Sequence, residues 1–101
     1  MNPSKVERSR TYKLTDLPNV GPAMARDLEL VGIRAPAEIV GRDPLELYET
    51  LCRKSGCRHD PCVLDTFMSI TDFMSGHKPR PWWEYTAERK RRYGQILKER
   101  R

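Results

Sequence analysis

The sequence predicts an all-α fold: a small bundle of paired helical hairpins, about five helices in all, with an aromatic C-terminal latch and a basic tail. Three observations predict it. No segment alternates apolar and polar residues over four or more positions with β-branched enrichment, so strands find no support. Apolar residues recur instead at helical spacing, with prolines where helices would start and glycines where they would stop. A layout of short helix, turn and longer helix over residues 14–31 also returns over residues 36–54.

The elements follow in order. Residues 1–12 are polar and expected to be flexible, with room for a helical turn over 6–12. Leu14 and Leu17 stand at i, i+3, and Pro18 limits that turn by pushing its predecessor out of the α region. Asn19 and Gly21 flank Val20, and both residue types tolerate unusual backbone angles. Pro22 suits the first position of a helix over 22–31, whose face is Met24, Leu28 and Val31 with Ala25 beside them. Gly32 suits the position just past its end, with Ile33 closing it. A short helix over 36–40 would point Ile39 and Val40 inward and stop at Gly41. Asp43, Pro44 and Glu46 read as N-cap, N1 and N3 of the next helix, with Leu45, Leu47, Tyr48, Leu51 and Cys52 on its apolar side. Asp60-Pro61 opens the longest helix, over 61–74, whose apolar stripe is wide enough for the centre of a bundle. Gly76 ends it, a proline-bearing linker over 77–81 follows, and the segment after PWWEYT reads as helical from about Thr86.

A length of 101 residues fits one small domain. The division expected is a flexible segment over 1–12, a core domain over 13–87 and a basic tail over 88–101. With 38% hydrophobic and 33% charged residues, part of the chain should lie outside the core. The charge supports that division. Residues 88–101 hold seven basic and two acidic residues, which is the whole net charge of +5, and the other 87 residues are neutral. A basic tail suits an anionic partner. No run of about 18 apolar residues exists to span a membrane. The polar N-terminus lacks the apolar stretch of a secretory signal. Three cysteines, an odd number without an export signal, suggest a reduced, cytoplasmic protein without a disulfide scaffold.

Residues 17–33 carry the first functional expectation. A helix N-terminus offers free backbone N–H groups and the positive end of the helix dipole, which attract phosphate. Here the sequence resembles the helix-hairpin-helix family, whose loop reads apolar-x-Gly-apolar-Gly with an alanine further on. Pro18, Asn19, Val20, Gly21 and Ala25 occupy those positions, so Asn19 replaces the first glycine. The resemblance implies binding to the nucleic-acid backbone without base specificity, with Val20, Gly21 and Ala23 at the phosphate. Asn19, Met24 and Arg26 complete the candidate set there. Ala23 and Met24 stand where DNA-binding members often carry Lys or Arg, so added affinity should come from Arg89, Lys90, Arg91 and Arg92.

A narrower resemblance follows from Asp43-Pro44 with Leu47-Tyr48 and Cys52, from GCRHDPCVLDTFMSITDFMSG and from PWWEYTAERK. Together they resemble the bacterial "pathogenicity locus" family of small helix-hairpin-helix proteins, some labelled mitomycin resistance protein, over residues 14–90. That resemblance implies a bacterial, cytoplasmic protein with a helix-hairpin-helix core, possible ties to DNA damage, and no defined activity. The hairpin is also similar to the C-terminal domain of the competence regulator TfoX.

Cys52, Cys57, His59 and Cys62 form a C-x4-C-x-H-x2-C pattern that could make a tetrahedral zinc site. It lacks paired CxxC knuckles, and Cys52 falls on a core face, so no metal and no cofactor are expected. Cys62 falls at the second position of its helix, where the dipole would lower a thiol pKa, Asp60 would oppose that, and His59 could assist. No Ser-His-Asp set, Walker loop or HExxH pattern appears, and Asp65 and Asp72 read as an exposed, solvated face. An enzyme is therefore not expected. Trp82, Trp83 and Tyr85, near Lys78, Arg80 and Arg89, could stack on bases or hold a protein partner. The competing expectation is that Trp82 or Trp83 folds back onto the helix over 61–74. The leading functional expectation is non-sequence-specific DNA binding. A protein-interaction adaptor is the alternative, and a thiol or metal protein centred on Cys57, His59 and Cys62 is a third.

Overall fold

Among the described residues, three of the four α-helices start at a proline, whose missing N–H matters least in a first turn that has no intrahelical acceptor. The computed structural model describes residues 6–99. These hold α1 (Pro22–Leu30), α2 (Pro44–Ser55), α3 (Pro61–Met74) and α4 (Thr86–Glu99). Four 3-10 turns accompany them, Arg8–Arg10, Leu14–Asp16, Pro36–Ile39 and Trp82–Tyr85, and no strand occurs among the described residues. The fold is all-α. The short helices expected over 14–17 and 36–40 are single 3-10 turns, closed by bonds such as Leu17 N–H to the Leu14 carbonyl at 3.1 Å. Pro18 and Gly41 leave them no room to lengthen. At the other end of α1, Gly32 takes φ +91°, which lets Ile33 N–H reach back to the Leu28 carbonyl at 2.9 Å.

α3 is the centre. Every residue from Leu64 to Thr71 is buried, so this stretch is covered on all sides. α2, the Pro36–Ile39 turn, the Trp82–Tyr85 turn and α4 all pack on it. Leu17, Leu28, Ile39, Leu51, Phe67 and Ile70 form the fully buried heart.

The first two turn-and-helix segments are related by a shift of 22 residues. Leu14 and Leu17 correspond to Pro36 and Ile39, all buried. Asn19 at φ 67° corresponds to Gly41 at φ 77°, Pro22 to Pro44, and buried Ala25 to buried Leu47. The pair differs just before the proline, where Gly21 stands opposite Asp43.

Several expectations change. Val40 points outward and is 57% exposed. The 3-10 turn puts Pro36 and Ile39, three apart, on one side, and the extended backbone of Val40 turns it away. Asp65 lies in the interior rather than on a solvated face, because α4 crosses it. Its carboxylate accepts from Arg89 Nε at 2.6 Å and from Thr86 Oγ1 at 2.7 Å. The side chains of Asp65 and Arg89 are only 1% and 13% exposed. The boundary drawn between 87 and 88 thus falls inside α4, whose Tyr93 and Leu97 join the core.

Residues 1–5 of the segment expected to be flexible lie outside the described residues, but from Val6 on it is docked. Arg8 holds the end of α3: its Nε donates to the Phe73 carbonyl at 3.1 Å and its guanidinium to the His77 carbonyl at 2.7 Å. That places a cation at the negative end of a helix. Among the described residues, no helix is long and apolar enough to cross a membrane.

Candidate nucleic-acid interface

The turn into α1 is built around Asn19. Its φ of 67° lies in the left-handed region, which Asn tolerates better than most residues. Asn19 therefore supplies the backbone angle that a glycine would otherwise provide. Its side chain faces inward to other parts of the chain. Nδ2 donates to Ser69 Oγ at 3.0 Å and to the Arg80 carbonyl at 2.8 Å, and Oδ1 accepts from Trp82 N–H at 3.2 Å. Asn19 thus fastens the turn to α3 and to the start of the aromatic segment, so its contribution to any ligand runs through the backbone. Val20 next to it is buried.

Gly21, Pro22 and Ala23 are exposed, and no side chain caps α1. The Gly21 carbonyl accepts from Ala25 N–H at 2.9 Å. The first-turn N–H groups of Ala23 and Met24 have no carbonyl within the helix to bond. α2 and α3 differ. Asp43 Oδ1 accepts from Leu45 N–H at 3.1 Å, and Asp60 Oδ1 from Cys62 N–H at 2.9 Å. That bond to Cys62 holds the Asp60 carboxyl below the usual carboxylate range. Of the three proline-started helices, α1 alone presents its positive end without a carboxylate. Met24 is half-buried against the core, while Arg26 is exposed on α1 beside Glu29, Leu30 and Arg34.

The four cations expected to add affinity divide. Arg89 is locked to Asp65 inside the protein, which leaves its charge already paired. Lys90 is exposed. Arg91 and Arg92 approach Glu88 at 3.6 and 4.0 Å, and the Arg92 guanidinium lies 4.9 Å from the centre of the Tyr93 ring.

In the aromatic segment the buried residue is Tyr85 rather than a tryptophan. Its hydroxyl donates to Asp72 Oδ2 at 2.6 Å, so Asp72 too is engaged rather than simply solvated. Burial and that bond push the Tyr85 pKa up. Trp82 is half-buried and meets Trp83 edge-on, with ring centres 5.8 Å apart, and Trp83 is 59% exposed. The turn that carries Trp82 packs on α3 as expected, but the buried side chain there is Tyr85, one 3-10 turn after Trp82, because it has an acceptor on α3.

The cysteine cluster separates into two places. His59 N–H donates to Cys52 Sγ at 3.4 Å, and His59 Nε2 lies 2.9 Å from Ser55 Oγ and 3.9 Å from Cys57 Sγ. Cys62 stands apart at the start of α3, where burial and the Asp60 carboxylate push its thiol pKa up. This reverses the lowering expected from the helix dipole, because burial disfavours the thiolate and the capping carboxylate at the helix end adds to that. Among the described residues, no three His, Cys, Asp or Glu side chains are placed to hold a metal ion.

Two features escaped the sequence reading: the bridging role of Asn19 and the place of Ser55 beside His59. A third, Gly21-Pro22 against Asp43-Pro44 and Asp60-Pro61, was written in the sequence as an uncapped helix start among capped ones.

The model of the family described as pathogenicity locus matches residues 7–91. The chain is also similar to a protein named mitomycin resistance protein McrB from Streptomyces lavendulae, with 53% identity over 78 residues covering 77% of this chain and 74% of that protein. No solved structure matches it significantly. The match across most of the chain, together with this relative, places the protein in the pathogenicity locus family.

Proposed function

We propose that the chain binds the nucleic-acid backbone, DNA in the first instance, without reading base sequence and without a catalytic step of its own. The Leu14–Asp16 turn, the Asn19 corner and α1 act as a helix-hairpin-helix motif, and the Pro36–Ile39 turn with α2 is its structural twin. The observation that carries this reading is the difference between the twins. Asp43 fills the positive end of α2 with the protein's own carboxylate, whereas Gly21 leaves the end of α1 open. An anion from outside can take the place there that Asp43 takes in α2. Arg26 lies on the same helix, and Lys90 and Arg91 offer cations on α4.

The name of the Streptomyces lavendulae relative links that protein to mitomycin resistance, and DNA binding is a natural setting for such a role in this chain. The test is fluorescence anisotropy with labelled single- and double-stranded DNA across a salt series. The reading expects affinity that falls linearly on a log–log plot against salt and varies little with base sequence. No binding by the full chain at low salt would contradict it and favour an adaptor role, for which exposed Trp83 is the natural contact.

A further inference from the structure

A groove runs between the end of α2, the loop over 56–60 with the start of α3, and α4. Arg53, Lys90 and Lys98 line it, Arg58 reaches across it to the Leu97 carbonyl of α4 at 2.8 Å, and Glu49 and Asp60 are its acids. Arg89, at its edge, is neutralised by Asp65. Cationic groups therefore outnumber anionic ones in a recess that is otherwise largely apolar.

Cys57 opens into this groove and is the exposed thiol among the three cysteines. Its Sγ lies 3.6 Å from Ser55 Oγ and 3.9 Å from His59 Nε2. The Ser55 hydroxyl points its proton at the Leu51 carbonyl at 2.7 Å, which leaves Oγ to accept from His59 Nε2–H at 2.9 Å. The same N–H edge of the imidazole faces Cys57. The backbone of His59 is held on both sides: its N–H donates to Cys52 Sγ, and its carbonyl accepts from the Tyr48 hydroxyl. An imidazole N–H that rests on Ser55 Oγ thus lies 3.9 Å from an open thiol in a cationic recess. The other two thiols lack this setting. Cys52 is half-buried and engaged by His59, and Cys62 sits behind the Asp60 carboxylate.

We propose that Cys57 is a thiol-exchange site for small disulfides that carry carboxylates, with Arg53 and Lys98 holding those carboxylates. In the exchange Cys57 gives up its proton to solvent and its sulfur attacks one sulfur of the disulfide. The S–S bond of the reagent breaks, and the released thiolate takes up a proton. One Cys57 mixed disulfide and one small thiol replace one thiol and one disulfide, so the incoming disulfide is the only oxidant. His59 Nε2–H, which rests on Ser55 Oγ, shifts toward the Cys57 sulfur 3.9 Å away as charge passes along the three-sulfur line.

The test treats the reduced full chain with oxidised glutathione and, in parallel, with neutral 2-hydroxyethyl disulfide. Labelling of each cysteine is followed over time by peptide mass spectrometry. The proposal expects glutathione to appear first on Cys57. It also expects Arg53→Gln with Lys98→Gln to slow that reaction about three- to tenfold, less at high salt, while the neutral reagent is unaffected. Even labelling of Cys52, Cys57 and Cys62 would overturn it. So would a variant that slows both reagents equally, or neither.

Discussion

Asp65 stands in the buried stretch of α3 and is stable there because α4 brings it Arg89 and Thr86. Removing one member of a buried pair strands the other charge. Asp65→Ala should lower stability by about 3–5 kcal/mol, read from urea unfolding. Asp65→Leu combined with Arg89→Met should recover most of that, since a packed apolar pair avoids the desolvation of two charges. A double variant as unstable as the single one would show that the polar network itself is required. The sequence could not reveal this pair. The periodicity of α3 marks which side of the helix is apolar, but it cannot report that another helix lies across its polar side. Asn19 shows the complement. Its tolerance of an unusual backbone angle is a property of the residue and was legible, whereas its partners lie 50 to 63 residues away and were not.

At the scale of the element, α4 is both a carrier of charge and a part of the core. Tyr93 and Leu97 are buried, and the Leu97 carbonyl accepts from the Arg58 guanidinium at 2.8 Å. Ending the chain at Ala87 would remove Arg89, Tyr93 and Leu97 together. That truncation should broaden or abolish cooperative thermal unfolding, and a sharp melt at the parent temperature would contradict the packing described. The charge of α4 is better tested by Lys90→Gln, Arg91→Gln and Lys98→Gln, all at exposed positions. The triple variant should keep its circular dichroism and melt. If all three cations meet phosphate on duplex DNA, the slope of log affinity against log salt should shrink by about 2–3. An unchanged slope would place the phosphate contacts elsewhere. The sequence showed this segment as charged and helix-compatible, since both are local. Its two buried contacts, spaced four apart among cations, are too sparse a pattern to mark a core helix by themselves.

Across the whole molecule, the all-α class, the proline-started helices and the central place of α3 were legible because each rests on local chain rules. The order in which the elements pack was not, because it depends on contacts between distant segments. Three tyrosines bind that packing to pH. Burial pushes the Tyr48 hydroxyl up to about 12 and also raises Tyr85 and Tyr93. In the unfolded chain these groups ionise near 10, so folding retains their protons to higher pH. Their contribution is fully present below about pH 10 and is lost as pH climbs toward 12. Thermal melts should therefore hold steady up to that point and fall beyond it, and Tyr48→Phe should make the fall shallower. A parent chain whose melting temperature is flat from pH 9 to 12 would contradict this.

The 22-residue shift that relates the two turn-and-helix segments also supplies the most direct test of the proposed function. Gly21 has open space around its missing side chain and an ordinary negative φ, so Asp fits there without strain. Gly21→Asp would cap α1 as Asp43 caps α2, leaving stability equal or raised by a few tenths of a kcal/mol. The measurement is DNA affinity of Gly21→Asp against the parent chain by fluorescence anisotropy at low salt, with thermal melts on the same samples. The account predicts an intact melt and affinity weakened by about tenfold, or about 1.4 kcal/mol, because a carboxylate now occupies the phosphate's place. Parent-like DNA binding by the folded variant would contradict it.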